Sequence, residues 1–236
     1  MTTPPGSTPQ LPLALRYPPD QRFETYVAAP AGALAQLHAL AQTANADWLY
    51  LAGPVGVGKT HLALAVCAAA EAAGRRAAFL PLKAASGRLH DALDAFDGAV
   101  IALDGVDAIA GTRDDEIALF DFHNHARSAG IAVLYTAQAA PDALALSLPD
   151  LRSRLGQCTR ITLSLLDDNG RREVLRERAQ RRGLVLDDAA LDWLLRRVDR
   201  DLASLTILLD RLDHASLVAQ RRITVPFLRQ TLGADS

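Results

Sequence analysis

The stretch Gly53-Pro54-Val55-Gly56-Val57-Gly58-Lys59-Thr60-His61 carries the most specific chemistry in the chain. It fits G-x-x-x-x-G-K-[ST] and lies between a run that reads as a strand and one that reads as a helix. Glycines let successive backbone N–H groups curl around phosphate oxygens, and the positive end of the following helix faces the same charge. Lys59 is spaced to reach the β- and γ-phosphates, and Thr60 to give a hydroxyl to Mg²⁺. Gly53 to His61 are therefore the expected nucleotide-binding residues, against the alternative of a glycine-rich turn that binds nothing. A second element, AVIALDGVD, ends an apolar run in Asp104 and places Asp107 three residues later. An acid at the carboxyl end of a parallel strand beside a phosphate loop can hold the shell of Mg²⁺. Asp107 is then placed to orient or deprotonate the attacking water; a solvated Asp/Gly turn is the plainer reading of both acids.

These groups need a scaffold, and the apolar pattern supplies one. Five runs read as buried strands: 48–52 (WLYLA), 77–81 (AAFLP), 99–103 (AVIAL), 131–136 (IAVLYT) and 160–163 (RITL). Between them, 33–44, 61–73 with Gly74 as its stop, and 116–129 with Gly130 as its stop read as helices. Strand and helix in alternation predict a parallel sheet covered on both faces. After Leu163 the texture changes, and 168–182, 187–198, 202–220 and 225–231 all look helical. A domain boundary is therefore expected near Ser164, with an α/β domain over 21–163 and a small all-α domain over 164–236.

Composition removes several classes of function. At 50% hydrophobic and 22% charged residues the chain is globular rather than disordered. With 25 basic against 27 acidic residues, no global positive field draws it onto nucleic acid. Cys67 and Cys158 lie far apart with no metal-ligand spacing, so buried thiols in a reducing compartment are expected. No leader-like segment or long apolar run is visible, which predicts a cytoplasmic protein without a membrane span. Residues 1–20 form a Pro-rich tail with too little to bury to order itself. Within it QLPLAL carries alternate leucines, which in an extended chain point the same way and suit a pocket in this protein or in another.

Taken together, QLPLAL, GVGKTHL, LDGVDAIAG, LPDLRSRL, RRG, DRDL and LDRLDHASLVAQRRITVPF resemble the AAA+ ATPases of the bacterial replication-initiator clade, in the branch of regulatory inactivators of the initiator DnaA. The resemblance runs nearly end to end and implies an AAA+ P-loop fold: a five-stranded parallel sheet flanked by helices, followed by a helical lid. It implies that Arg154 in LPDLRSRL is an arginine finger directed at a neighbour's nucleotide, a task for which a permanently charged guanidinium is suited. An ordinary surface arginine, like Arg152, is the other reading. Arg200 in DRDL matches the sensor-2 arginine that reaches the nucleotide from the lid, with an ion pair to Asp199 or Asp201 as its rival. Thr136 matches the end of the sensor-1 strand. Gln138 departs from the Asp that relatives carry there; an amide can position water but cannot accept its proton, so weak intrinsic hydrolysis is implied. QLPLAL is similar to the motif by which Gln10, Leu11, Leu13 and Leu15 would enter a pocket on the sliding clamp.

The implied function is negative regulation of replication initiation. The protein would bind ADP or ATP with Mg²⁺, dock on the DNA-loaded sliding clamp, and stimulate hydrolysis of ATP bound to DnaA. It would meet DNA only through the clamp, with a nucleoid or replisome association and no membrane partner; a homodimer and a single chain are both open. The lid ends near Ser236, which leaves no room for the helix-turn-helix domain of a full initiator. Two rivals are a helicase loader binding single-stranded DNA, which should show stacking aromatics in a basic groove, and a P-loop enzyme acting on a small metabolite. Aromatics make up only 5% of the chain, and no substrate pocket is legible.

Overall fold

The computed structural model describes residues 21–26, 29–181, 183–196, 212 and 224–232. After a 3-10 turn at Phe23–Thr25 come α1 (Ala33–Gln42), β1 (Leu49–Ala52), α2 (Lys59–Ala72), β2 (Ala77–Pro81), α3 (Leu82–Ala85), α4 (Leu89–Asp94), β3 (Val100–Asp104), α5 (Arg113–Ala129), β4 (Ala132–Ala137), α6 (Pro149–Gly156) and β5 (Thr159–Thr162). Three further helices follow: α7 (Asp168–Arg181), α8 (Asp188–Leu195) and α9 (Val225–Leu232). The strands form one parallel sheet in the order β2-β3-β4-β1-β5.

Each strand falls within one residue of the apolar run expected to form it. Helix α2 begins at Lys59, two residues before the expected start, because Gly58 takes the N-cap position. Helix α5 begins at Arg113 rather than Glu116, so Asp114, Asp115 and Glu116 fill its first turn, where acids favour a helix start. Helices α3, α4 and α6 go beyond those read from the sequence; they are short, and too few apolar positions recur to announce them. The expected helix over 202–220 lies outside the described residues except for Leu212, which is helical and buried.

The sheet alternates its side chains between two cores. Tyr50, Ile101, Leu103, Val133 and Tyr135 face α4, α5 and α6, while Leu49, Leu51, Val100, Ala102 and Leu134 face α1 and α2. Because both faces are covered, the strands read as unbroken apolar runs rather than alternating ones. Within the first core His123 is buried against Trp48, with ring centroids 4.6 Å apart, and its Nδ1 lies 3.1 Å from the Tyr135 hydroxyl. Burial, helped by the positive charges of Arg127 and Arg154, pulls the His123 pKa down to about 4. A third core joins α7, α8, Leu212 and α9. Cys67 and Cys158 are buried and not disulfide-bonded. Among the described residues no helix is long and apolar enough to cross a membrane.

The topology places the chemistry. Strand β1 lies between β4 and β5, so the chain crosses β4 and β3 to reach β2. Ligands of open α/β sheets bind at the carboxyl ends beside such a reversal of strand order. The register levels those ends: Ala52 pairs with Ala137, and Asp104 with Thr136.

Candidate nucleotide-binding site

Gly53 to Gly58 link the end of β1 to the start of α2, and two of the glycines are sterically required. A Cβ on Gly53 would lie 2.5 Å from the carbonyl oxygen of Leu163, directly after β5. Gly58 has φ +89°, and a Cβ there would lie 2.7 Å from the Tyr26 ring. Tyr26 closes this side of the loop by donating its hydroxyl to the Val57 oxygen at 2.8 Å. Burial raises that hydroxyl's pKa to about 12, so it stays a donor at neutral pH. Backbone N–H groups at the start of α2 are left for an anion, since the first turn of a helix has no internal acceptors.

The polar side chains converge from four segments. The Lys59 ammonium donates to the Gly53 oxygen at 2.6 Å and the Pro54 oxygen at 2.7 Å. Burial lowers its pKa, and the charges of Asp107 and Asp104 oppose that shift. Asp104 accepts from Thr60 Oγ1 at 2.8 Å through one carboxylate oxygen and from Thr136 Oγ1 at 2.6 Å through the other. Thr136 Oγ1 in turn accepts from the Gly105 N–H at 3.0 Å, which orients its proton toward Asp104. Asp107 is held by Gln138, whose backbone N–H and side-chain amide each donate at 2.9 Å to a different carboxylate oxygen.

The structure therefore brings the loop Gly53–Thr60 together with Asp104, Asp107, Thr136 and Gln138. Glycines that a Cβ would obstruct, an ammonium and a free helix N-terminus suit a polyphosphate. A hydroxyl beside a carboxylate suits a hard cation such as Mg²⁺, which commonly takes one or two protein oxygens and completes its shell with water and substrate phosphates. Among the described residues no cluster of three or more His, Cys, Asp or Glu able to hold a metal occurs.

His61 and Arg154 stand apart from this group. His61 Nε2 donates to the Arg22 oxygen at 2.9 Å, with Thr25 Oγ1 at 3.2 Å, and the ring meets Tyr26 edge-on. It fastens the segment Arg22–Tyr26 to the loop. Arg154 lies on the exposed side of α6. That helix leads into β5, whose first residue bonds the Trp48 oxygen at the amino end of the sheet, opposite to the phosphate loop. Its guanidinium has no hydrogen-bond or ion-pair partner among the described residues. Arg152, by contrast, turns back to donate to the Leu146 oxygen. Arg200, Gln10, Leu11, Leu13 and Leu15 lie outside the described residues.

Sequence reasoning passed over Tyr26, a single aromatic without periodicity. It also passed over two buried acids. Glu116 is fully buried and accepts hydrogen bonds from Gly111 N at 2.7 Å, Ser147 N at 3.0 Å, Ser147 Oγ at 2.9 Å and Leu148 N at 2.7 Å. Asp115 is 3% exposed and accepts from Ser86 Oγ, Gly87 N and Leu89 N. In the string RDDEIALF they look like solvated charges; the apolar residues right behind them are the only hint that the chain is turning inward.

Comparison with known proteins agrees with this geometry. A family model described as "IstB-like ATP binding protein" matches residues 10–140, and one described as "Hda, lid domain" matches 168–232. Domain III of the replication initiation protein DnaA from Thermotoga maritima superposes with a TM-score of 0.77 at 19% identity, over 92% of this chain and 98% of that one. AMPPCP-bound DnaA from Aquifex aeolicus gives 0.67 at 20% identity, over 81% of this chain and 64% of the other. The Thermotoga maritima RuvB Holliday junction branch migration motor gives 0.63 at 19%, over 91% and 72%. At these identities the superpositions establish a shared fold, and the two family models establish kinship. A nucleotide-type phosphate loop on a sheet of this order, matched over more than half the chain and followed by a lid of its own type, shows that the chain belongs to the IstB-like ATP-binding family and is an Hda/DnaA-like AAA+ protein.

Proposed function

We propose that the protein is a negative regulator of replication initiation. In this reading it binds ADP or ATP with Mg²⁺, docks on the DNA-loaded sliding clamp through Gln10, Leu11, Leu13 and Leu15, and presents Arg154 to ATP held by DnaA. The observation that carries this reading is the position of Arg154: exposed, unpaired among the described residues, and near the end of a helix that leads to the end of the sheet opposite the chain's own phosphate loop. The Hda-type lid supports the choice of partner.

The site's own residues then divide the work. Lys59 and the loop N–H groups would bind the phosphates, Arg200 would contribute from the lid, and Thr60 with Asp104 would hold the cation, which would supply charge neutralisation at the phosphates. Thr136 keeps Asp104 oriented. Asp107 orients water, but Gln138 already occupies a lone pair on each of its oxygens, which leaves it less free to follow the attacking water, so intrinsic turnover is slow. On the partner's nucleotide, Arg154 donates its planar fork to oxygens that gain charge in the transition state, a contribution of about 10³–10⁵ in rate for such residues. The test is hydrolysis of radiolabelled ATP prebound to DnaA, with and without DNA-loaded clamp. Stimulation that needs both this protein and the clamp supports the reading; no stimulation in their presence refutes it.

A further inference from the structure

Arg154 can serve a neighbouring molecule only if α6 is held in place; Leu151 and Leu155 bury one side of the helix, but its start has no side-chain cap. Its N-cap is Leu148, whose side chain cannot accept a hydrogen bond from the first turn. The Leu148 N–H, directly before α6, is taken instead by Glu116 at 2.7 Å. The same carboxylate accepts from the main chain and hydroxyl of Ser147 and from Gly111. Gly111 belongs to the turn that follows Asp104 and Asp107. One buried carboxylate thus ties the loop behind the two nucleotide-site acids to the start of the arginine-bearing helix. We propose that Glu116 is the positioning residue for Arg154, fixing α6 against the Asp104–Gly111 loop so that the guanidinium reaches a partner's phosphates in register. This inference rests on the reading of Arg154 given above and assigns it a specific support.

Burial alone would raise the Glu116 pKa, but its donors outweigh burial and hold it below the ordinary carboxylate value, so the group is ionised at neutral pH. Four donors converge on its two oxygens. Glutamine has nearly the same shape but replaces one oxygen with an NH₂, which faces a backbone N–H with nothing to accept it. The substitution therefore loosens one end of the brace without emptying the core. Asp115 supplies an internal control. It sits one residue earlier in the same turn, is also buried, and accepts three bonds, but all come from the 86–89 segment between α3 and α4. A general loss of stability at the start of α5 should follow from either substitution; a loss of Arg154 placement should follow only from Glu116.

The experiment measures hydrolysis of radiolabelled ATP prebound to DnaA with DNA-loaded clamp, adding Glu116→Gln, Asp115→Asn, Arg154→Ala and the double variant Glu116→Gln/Arg154→Ala in the full chain. Displacement of a catalytic group by about 1 Å commonly costs up to 10²-fold, so Glu116→Gln is expected to lose about ten- to a hundredfold of stimulation. Asp115→Asn is expected to remain within a factor of about two, as for an independent site. Glu116→Gln in the Arg154→Ala background should cost nothing more, because its effect passes through Arg154. Binding of ADP to the Glu116→Gln protein should match wild type. Full stimulation by Glu116→Gln, or equal loss in Glu116→Gln and Asp115→Asn, overturns the assignment. Full stimulation by Arg154→Ala would instead overturn the reading of Arg154 itself. Should Glu116→Gln not fold, Ser147→Ala, which removes one of the four donors, is judged by the same comparison with Asp115→Asn.

Discussion

Gln138 grips Asp107 at both ends: its main-chain N–H and its side-chain amide each donate at 2.9 Å, to opposite oxygens of the carboxylate. A carboxylate held this way is fixed in orientation, with one lone pair of each oxygen already committed to Gln138 rather than open to water. The isolated protein should therefore hydrolyse ATP slowly. Gln138→Ala, which keeps the main-chain bond and frees one oxygen, should raise steady-state turnover severalfold. An unchanged or lower rate would mean that the grip does not restrain Asp107.

Lys59 carries the second prediction. Its ammonium now rests on the Gly53 and Pro54 carbonyls and lies within the field of Asp107 and Asp104. It can turn from these carbonyls to phosphate oxygens without leaving the loop. Lys59→Ala should weaken ADP binding by about 1.5–3 kcal/mol, the usual worth of a hydrogen bond to a charged group. That is roughly ten- to a hundredfold in calorimetric affinity. Equal affinities for variant and wild type would exclude the loop as a phosphate site.

The third prediction concerns acid. His123 is buried and neutral, with its pKa drawn down to about 4 against an ordinary 6.5. A depressed folded-state value means that the unfolded chain takes up a proton first. Stability from this group is complete above pH 6.5 and is lost as pH falls toward 4. The loss amounts to about 3 kcal/mol from one residue. His123→Phe, which keeps a ring beside Trp48, should flatten the denaturant-midpoint profile in that window. An undiminished slope would assign the acid sensitivity elsewhere.

The tail gives the fourth. If Leu13 and Leu15 fill a clamp pocket, replacing both by Ala should abolish clamp retention, since each buried leucine is worth roughly 1.5–3 kcal/mol. ADP affinity should stay at the wild-type value. Clamp retention by the double variant would return QLPLAL to a segment that serves its own chain.

Much of this architecture was legible before any coordinates, and the reasons are local. The strands announce themselves because both faces of a parallel sheet are covered, which turns each into a short apolar run such as AVIAL. The phosphate loop is legible because Gly53, Gly58, Lys59 and Thr60 have few substitutes in that geometry, as the contacts at Gly53 and Gly58 make plain. Long-range pairings could not be read. Nothing in the spacing tells that Thr136 and Thr60 share Asp104, or that Gln138, just past β4, closes on Asp107, because these depend on how β3 lies against β4 and α2. Glu116 and Asp115 were hidden for the opposite reason. Buried acids and solvated ones have the same letters, and only the backbone N–H groups that meet them in the fold distinguish the two.

The central claim is that Arg154 works on a nucleotide that this chain does not hold. It is tested most directly by comparing wild type, Arg154→Ala and Arg154→Lys in hydrolysis of ATP prebound to DnaA on DNA-loaded clamp, with clamp retention measured alongside. The account predicts that Arg154→Ala stays on the clamp and loses nearly all stimulation. Lysine should rescue little, since a point charge does not reproduce the guanidinium's planar pair of donors. Full stimulation by Arg154→Ala would contradict it.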